Sequence, residues 1–370
     1  MLIAPDLLWI DGALRPGLAV ELAAGRVVRV GAAGAARPDH APHLLIPGPT
    51  DLQVNGGGGA MLNADPTPET LSRIAAAHHG RGTGEIMATL ITDTPRILDR
   101  TVAAMLAARG TPGLLGLHLE GPAIAPGRRG THAARHIRSL DDHLIGAVRR
   151  LRRAGWPVMV TLAPERADPA RLAALAETGA VLSAGHSAAD AEAFRTALSR
   201  GVRCVTHLFN AMAQMQSRAP GLLGAAILSE AHCGIIADGH HVAPEMLRLA
   251  LAARPRSDRT FLVSDAMATV GGPDRFTLYG QEIALSGGRL VNAEGNLAGA
   301  HLDMVAALAN IHRLAGLPLD RAVAMATDIP RAALGMAPVA IAPGLPLHRL
   351  TALDTGLRHL PLPGRDYTSG

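Results

Sequence analysis

Four ionisable residues, Glu120, His186, His207 and Asp265, each stand at the end of a separate short apolar run. One carboxylate and two imidazoles suit a catalytic zinc site, which keeps a coordination position open for water or substrate. A cation held there would lower the pKa of bound water towards neutrality and polarise a carbonyl. Asp265 is then available as general base, taking a proton from that water and returning it to a leaving nitrogen. The histidines need weighing, because the chain has 17 of them. His78 and His79 lie in the middle of a helix-length segment and read as structural. His186, in Ser183-Ala-Gly-His-Ser187, and His207, in Val205-Thr-His-Leu-Phe209, follow strand-like runs. That position fits a ligand and a structural residue equally well.

The elements that must position these residues are legible in the patterning. From Pro47 onward, short apolar runs alternate with helix-length segments. Eight runs read as strands, over residues 48–55, 85–92, 114–120, 157–164, 180–186, 203–207, 233–238 and 260–265. Helical segments between them include 68–79, 95–108, 142–154, 169–178, 188–199 and 244–253. Strand–helix alternation argues for a parallel sheet, and eight units argue for a closed (β/α)8 TIM-like barrel. Most of the runs end in a polar residue: Gln53 and Asn55, Thr92, Glu120, Glu165, His186, His207, Asp238 and Asp265. In a barrel such strand ends converge on one face, where active sites sit. Residues 1–46 read as strands and turns and 337–370 as short extended runs. The two terminal segments are expected to form a small β-sandwich domain beside a barrel spanning 47–336. Residues 276–290, with Gly280 and Gly287-Gly288, suggest a hairpin excursion, followed by helices over 304–315 and 320–326.

Composition narrows the function classes. Aromatic residues are only 2% of the chain, too few for single-stranded nucleic-acid stacking platforms. A formal net charge of +4 fits solvated arginine-rich helix faces and a mild attraction for an anion such as a phosphate ester. No block of like charges marks a nucleic-acid tail. Cys204 and Cys233 form no CxxC pair and no disulfide framework, so a reducing cytoplasm is expected. Asp6 and Asp11 interrupt the N-terminal apolar stretch, no secretory signal is read there, and no run is long enough for a transmembrane helix.

Several motifs together resemble one family. Gly116-Leu-His-Leu-Glu-Gly-Pro122, Thr206-His-Leu-Phe-Asn-Ala-Met212, Ile236-Ala-Asp-Gly-His-His-Val242, Leu262-Val-Ser-Asp-Ala-Met267 and Leu297-Ala-Gly299 are similar to motifs of the N-acetylglucosamine-6-phosphate deacetylases, of the amidohydrolase superfamily. Pro47-Gly48, the Asp51–Gly59 segment, Thr161-Leu-Ala-Pro-Glu165 and Gly185-His186 fit the same family. The motifs occur in order across nearly the whole barrel. HLEGP and THLFNAM together are specific, whereas IADG or LAG alone is weak.

The resemblance implies hydrolysis of an acetamide on a sugar 6-phosphate, giving acetate and an amino-sugar phosphate. It implies that Glu120, His186 and His207 are metal ligands, usually for zinc, and that Asp265 is the catalytic acid/base. His132 matches a residue that polarises the acetyl carbonyl and holds the substrate. Asn210 and Ala211 match positions whose backbone amides meet the phosphate, Arg218 a phosphate-binding arginine, and His241 a substrate-binding histidine. Leu297, Ala298 and Gly299 match a loop that closes over the substrate. The resemblance also implies a homodimer, with the phosphate pocket completed across its interface. Backbone N–H groups and a guanidinium are suitable donors for a phosphate.

Gln53 and Asn55 stand where many amidohydrolases carry the two histidines of a second metal. Neutral amides are poor zinc ligands, so one divalent ion per chain is expected, with Gln53 able to contact its water. The run Gly56–Gly59 lacks the Lys-Ser/Thr of a phosphate loop and reads as a tight turn beside the site. Three other readings remain: the same reaction on another N-acetylhexosamine 6-phosphate such as the galactosamine epimer, a non-catalytic sugar-phosphate binder, and hydrolysis of a non-phosphorylated cyclic amide.

Overall fold

The computed structural model describes residues 1–292, 295 and 297–364. Eight parallel strands run in sequential order: Thr50–Val54, Glu85–Ile91, Leu114–Glu120, Val158–Leu162, Val181–Ala184, Val202–Val205, His232–Ile235 and Thr260–Leu262. Six of the eight are buried along their whole length, on both faces, at Thr50–Val54, Glu85–Ile91, Val158–Leu162, Val181–Ala184, His232–Ile235 and Thr260–Leu262. Burial on both faces is the signature of a sheet covered by crossover helices. The seam is joined just beyond the short last strand. Asp265 N–H donates to the Gln53 carbonyl at 3.0 Å, and Asn55 N–H to the Ala266 carbonyl at 2.9 Å. The sheet is thus the expected α/β barrel.

The crossover helices begin where side chains can satisfy their free N–H groups. Thr67, Thr94, Asp141, Asp168 and Asp190 each cap the helix that follows. Pro68, Pro95 and Pro169 open three of these, at a position where a missing N–H costs nothing. Apolar faces of these helices and the outward side chains of the strands form one large core. His78 and His79 close the first helix, Pro68–His79, rather than occupying its middle. His78 is buried against the Gly56 carbonyl at 3.0 Å. The glycine run makes the expected turn: Gly56–Gly57 pairs back on Ala60–Met61, with Gly58 and Gly59 at positive φ.

Two features exceed the expectation. The excursion after the eighth strand is a four-stranded antiparallel sheet, Arg275–Leu278, Gln281–Ser286, Arg289–Val291 and Leu297–Ala300, rather than one hairpin. Its Leu278, Ile283, Leu290 and Ala298 pack on Met61, Ile91 and Met267 beside the barrel mouth. Helices at Gly221–Ile227 and Asp328–Ala333 also appear.

The terminal segments share one five-stranded sheet. Leu350–Leu353 lies antiparallel to Leu44–Pro47, which lies parallel to Leu7–Ile10. A second sheet, of Leu2–Ile3, Leu18–Ala23 and Arg26–Ala32, packs with it over a small separate core. Among the described residues, no helix is long and apolar enough to cross a membrane.

Candidate active site

Glu120 ends the third strand, and side-chain alternation places it on the inward face together with His118. His186 and His207 lie just past the ends of the fifth and sixth strands, and Asp265 past the eighth. These last three hold positive φ values of 48°, 29° and 51°. That left-handed region is costly for residues with a Cβ, and such strain concentrates at functional sites. Here it turns each side chain from the strand direction into the barrel mouth.

Three ligand-type atoms meet at one point. Glu120 Oε1 lies 3.1 Å from His186 Nε2 and 3.1 Å from His207 Nε2, and the two nitrogens are 3.0 Å apart. Ligands of a tetrahedral zinc at ordinary bond lengths stand roughly 3.3 Å from one another, so these atoms need only a slight adjustment. His186 Nδ1–H donates to the Arg128 carbonyl at 2.8 Å, which leaves the Nε2 lone pair free for a cation. His207 Nδ1 is buried without a partner. The donor set and its spacing therefore fit a divalent ion. His132 also comes near, with Nε2 3.8 Å from Glu120 Oε2, so Glu120, His132 and His186 form an alternative cluster. The first set is the tighter. His132 addresses the other carboxylate oxygen, and its Nδ1 is held by Thr92 at 2.8 Å.

Electrostatics follow from this crowding. Burial alone would raise the Glu120 carboxyl, but the rings of His186 and His207 hold it well below the usual range. Burial, and then the nearby Glu120 carboxylate, push Asp265 up to about 6. Burial, and then His186, hold His132 well below its ordinary value, favouring a neutral ring. Gln53 Nε2 donates to Glu120 Oε1 at 3.0 Å and to Asp265 Oδ1 at 3.2 Å. Asn55 Nδ2 donates to the same Asp265 oxygen at 2.7 Å. These amides present N–H groups, not ligand oxygens, to the two carboxylates.

The cluster floors a cavity of about 290 Å³. Of the residues singled out in the sequence, Glu120, His132, His186, His207, Asn210, Ala211, His241, Asp265, Leu297 and Gly299 line it. Ala298 does not. It is fully buried in the apolar layer of the four-stranded sheet. Arg218 is exposed near the tip of the loop before Gly221–Ile227, outside the lining. Gln53 acts from beneath, through its two hydrogen bonds. Asn55, Thr92, Glu165 and Asp238, also polar strand ends, lie outside the lining. Glu165 accepts hydrogen bonds from Ser187 Oγ and Ala188 N–H, bracing the turn after His186. Asp238 accepts from His241 Nδ1–H at 2.6 Å and fixes that ring. Burial raises Asp238, but the His241 hydrogen bond and charge outweigh it and hold the carboxyl at about 2.

Arg128, Gly130, Thr131 and Met267 also line the cavity and were not singled out in the sequence. Arg128 orients His186 through a backbone carbonyl, which leaves no mark on residue type. Gly299, at φ 66°, had a signal only as part of a motif. A Cβ there would strike Met267.

Comparison with known proteins agrees with this geometry. Residues 44–344 match the amidohydrolase family. An N-acetylgalactosamine-6-phosphate deacetylase of Shewanella sp. (strain ANA-3) is 38% identical over 290 residues, covering 77% of this chain and 73% of that protein. The human N-acetylglucosamine-6-phosphate deacetylase is 33% identical over 318 residues, covering 81% and 76%. One solved structure is an aspartate-to-alanine variant of N-acetyl-D-glucosamine-6-phosphate deacetylase from Mycobacterium smegmatis, in complex with N-acetyl-D-glucosamine-6-phosphate. It superposes with a TM-score of 0.87 at 32% identity, over 97% of this chain and 96% of that one. The strand-end cluster thus sits in a chain that belongs to the amidohydrolase family, among the metal-dependent hydrolases that act on amides.

Proposed function

We propose that this chain hydrolyses the acetamide of N-acetylglucosamine 6-phosphate to glucosamine 6-phosphate and acetate. The observation that carries the reading is the meeting of Glu120, His186 and His207 at one point, with Asp265 and His132 in the same cavity. In this reading Glu120 Oε1 and the Nε2 atoms of His186 and His207 hold one divalent ion, zinc being the best match to a nitrogen-and-carboxylate set. When bound, that ion supplies an activated water at neutral pH and polarises the acetyl carbonyl. Asp265 accepts a proton from the attacking water and returns it to the nitrogen as the C–N bond breaks. His132 donates a hydrogen bond to the carbonyl oxygen as negative charge develops there. The backbone N–H of Ala211 and the ring of His241 take the sugar-phosphate end, with Asn210, whose own N–H donates to the His207 carbonyl at 2.9 Å, lining the cavity beside them. Leu297 and Gly299 close over it.

Arg218 belongs to this reading through a second copy of the chain. The guanidinium is exposed on a loop that begins at the phosphate-binding positions, outside its own cavity. A homodimer would bring it to the partner's phosphate. A cytoplasmic setting accords with Cys204 and Cys233, both buried as free thiols.

Acetate release from N-acetylglucosamine 6-phosphate, measured with zinc content per chain, tests the proposal. The galactosamine epimer run in parallel decides the sugar, and faster turnover of that epimer would reassign it. Binding of either sugar without acetate release from zinc-loaded protein would make the chain a sugar-phosphate binder instead.

A further inference from the structure

The ring of His132 is held at Nδ1 by one neighbouring residue. Thr92 lies just after the second barrel strand, Glu85–Ile91. Its backbone N–H points at His132 Nδ1 at 3.3 Å, and its hydroxyl lies 2.8 Å from the same nitrogen. A backbone N–H can only donate. The backbone contact calls for a lone pair on Nδ1, with the proton of a neutral ring on Nε2, while the hydroxyl, which also lies 3.2 Å from the Glu120 carbonyl, is free to donate to either acceptor. Nε2 is the nitrogen that faces Glu120 and the cavity. The Thr92 backbone contact favours a ring that donates from Nε2 into the cavity.

The carbonyl of Thr92 is held from the other side. It accepts the phenol hydroxyl of Tyr279 at 2.5 Å. Tyr279 sits in the two-residue turn between Arg275–Leu278 and Gln281–Ser286, where Leu278 pairs with Gln281. Both turn residues, Tyr279 and Gly280, have positive φ, at 52° and 83°. Turns of this kind favour Asn-Gly, and a tyrosine in the first position is conformationally unfavourable. The strained backbone aims the ring inward. There the Arg135 guanidinium lies over it at 6.0 Å, and the His136 ring centroid lies 6.0 Å from its own. Arg135 and His136 belong to the turn that follows His132 directly. Tyr279 thus touches both segments that hold His132: the strand end that addresses Nδ1, and the turn that continues its backbone.

We infer that Tyr279 is a positioning residue for His132, tying the four-stranded sheet through Thr92 to the placement of the ring that polarises the substrate carbonyl. The inference rests on the role given to His132 above. No contact of Tyr279 with the substrate is needed, and the effect travels through Thr92.

The test uses the full-length, zinc-loaded enzyme. Tyr279→Phe removes the hydroxyl and keeps the ring. It is expected to lower kcat by about tenfold with KM nearly unchanged, since a small misplacement of a catalytic group is sufficient for such a loss. Thr92→Val is expected to lose at least as much, while Thr92→Ser, which keeps the hydroxyl, stays near wild type. The readout that a merely structural role would not move is the ¹⁵N shift pair of the His132 ring. Wild type shows protonated Nε2 and unprotonated Nδ1, and Tyr279→Phe shows a mixture. Unchanged ring shifts in Tyr279→Phe, or a lowered Tm with unchanged kcat, would overturn the inference. On a His132→Ala background, Tyr279→Phe should cost nothing further, and an additive loss would equally sink it. Full turnover in His132→Ala alone would instead overturn the role given to His132, while the ring shifts would still report on Tyr279.

Discussion

Gln53 Nε2 donates to the same Glu120 oxygen that faces His186 and His207. An amide N–H, not a ligand oxygen, therefore faces this carboxylate, and Asn55 places a second N–H on Asp265. Protein exchanged against excess zinc and then desalted is expected to retain about one ion per chain by elemental analysis. His186→Ala and His207→Ala should each abolish tight retention. Two tightly held ions per wild-type chain would contradict the reading of both amides.

In the proposed reaction Asp265 carries a proton rather than the ion. In Asp265→Asn the amide oxygen can still accept from Gln53 and Asn55. Metal content should stay at the wild-type level while kcat falls by about a thousandfold, in the range general acid–base catalysis supplies. Near-normal acetate release from this variant would remove Asp265 from the mechanism.

The pH dependence of kcat/KM should report the same carboxyl. Asp265 must be ionised to accept a proton, and burial with the neighbouring Glu120 pushes it up to about 6. Activity is expected to rise with pH through an acidic limb at pH 6 or lower, because a bound cation can only move that limb downwards. A limb centred above pH 7 would exclude Asp265 as the base.

Much of this centre is legible in the chain, and what is hidden is hidden for identifiable reasons. Helix starts carry side-chain marks, such as Thr67-Pro68 and Thr94-Pro95, so those helices read correctly. The helix Gly221–Ile227 has two glycines and almost no polar face, because nearly all of it is buried, and no 3.6-residue alternation survives. Asp328–Ala333 contains Pro330, which reads as a break. Glu120, His186, His207 and Asp265 are visible as ionisable ends of apolar runs. Two groups that orient the site, the Arg128 carbonyl at His186 and the Thr92 amide at His132, are backbone groups and leave no mark on residue type. Tyr279 is remote in sequence from His132, and only the tertiary fold brings them together.

Asp51 offers a test of stability independent of turnover. One carboxylate oxygen accepts from the N–H groups of Gln53 and Ser264, at 3.1 and 3.2 Å, across the barrel seam. The other is buried without a partner. Burial pushes this carboxyl up to about 7, from an ordinary 3.8. A raised carboxyl pKa stabilises the fold fully below the unfolded value, and that contribution is lost as pH climbs through the folded value. Asp51→Asn removes the titration. Its stability relative to wild type should therefore improve by about 2–3 kcal/mol between pH 5 and pH 8. A Tm difference that is flat across this interval would show that Asp51 does not titrate there.

Arg218 predicts a complementation experiment. Arg218→Ala is expected to raise the KM for the sugar phosphate at least tenfold while leaving zinc content intact, as loss of a charge-assisted phosphate contact should. At substrate concentrations near the wild-type KM, mixed and reassociated Arg218→Ala and Asp265→Asn chains should turn over faster than either variant alone, because one hybrid site would combine an intact Asp265 with a partner's intact arginine. No recovery in verified mixed dimers would place Arg218 in its own chain's site or out of it altogether.

The Gln53–Asp265 hydrogen bond joins residues 212 positions apart, and the proposed ligands between them come from three further strands. No contiguous fragment of the barrel contains the centre, and closing so long a loop must precede any local reward. Metal binding and turnover are thus late reporters of assembly. A chain that emerges from the ribosome strand by strand acquires them only when its last barrel strand has found its first.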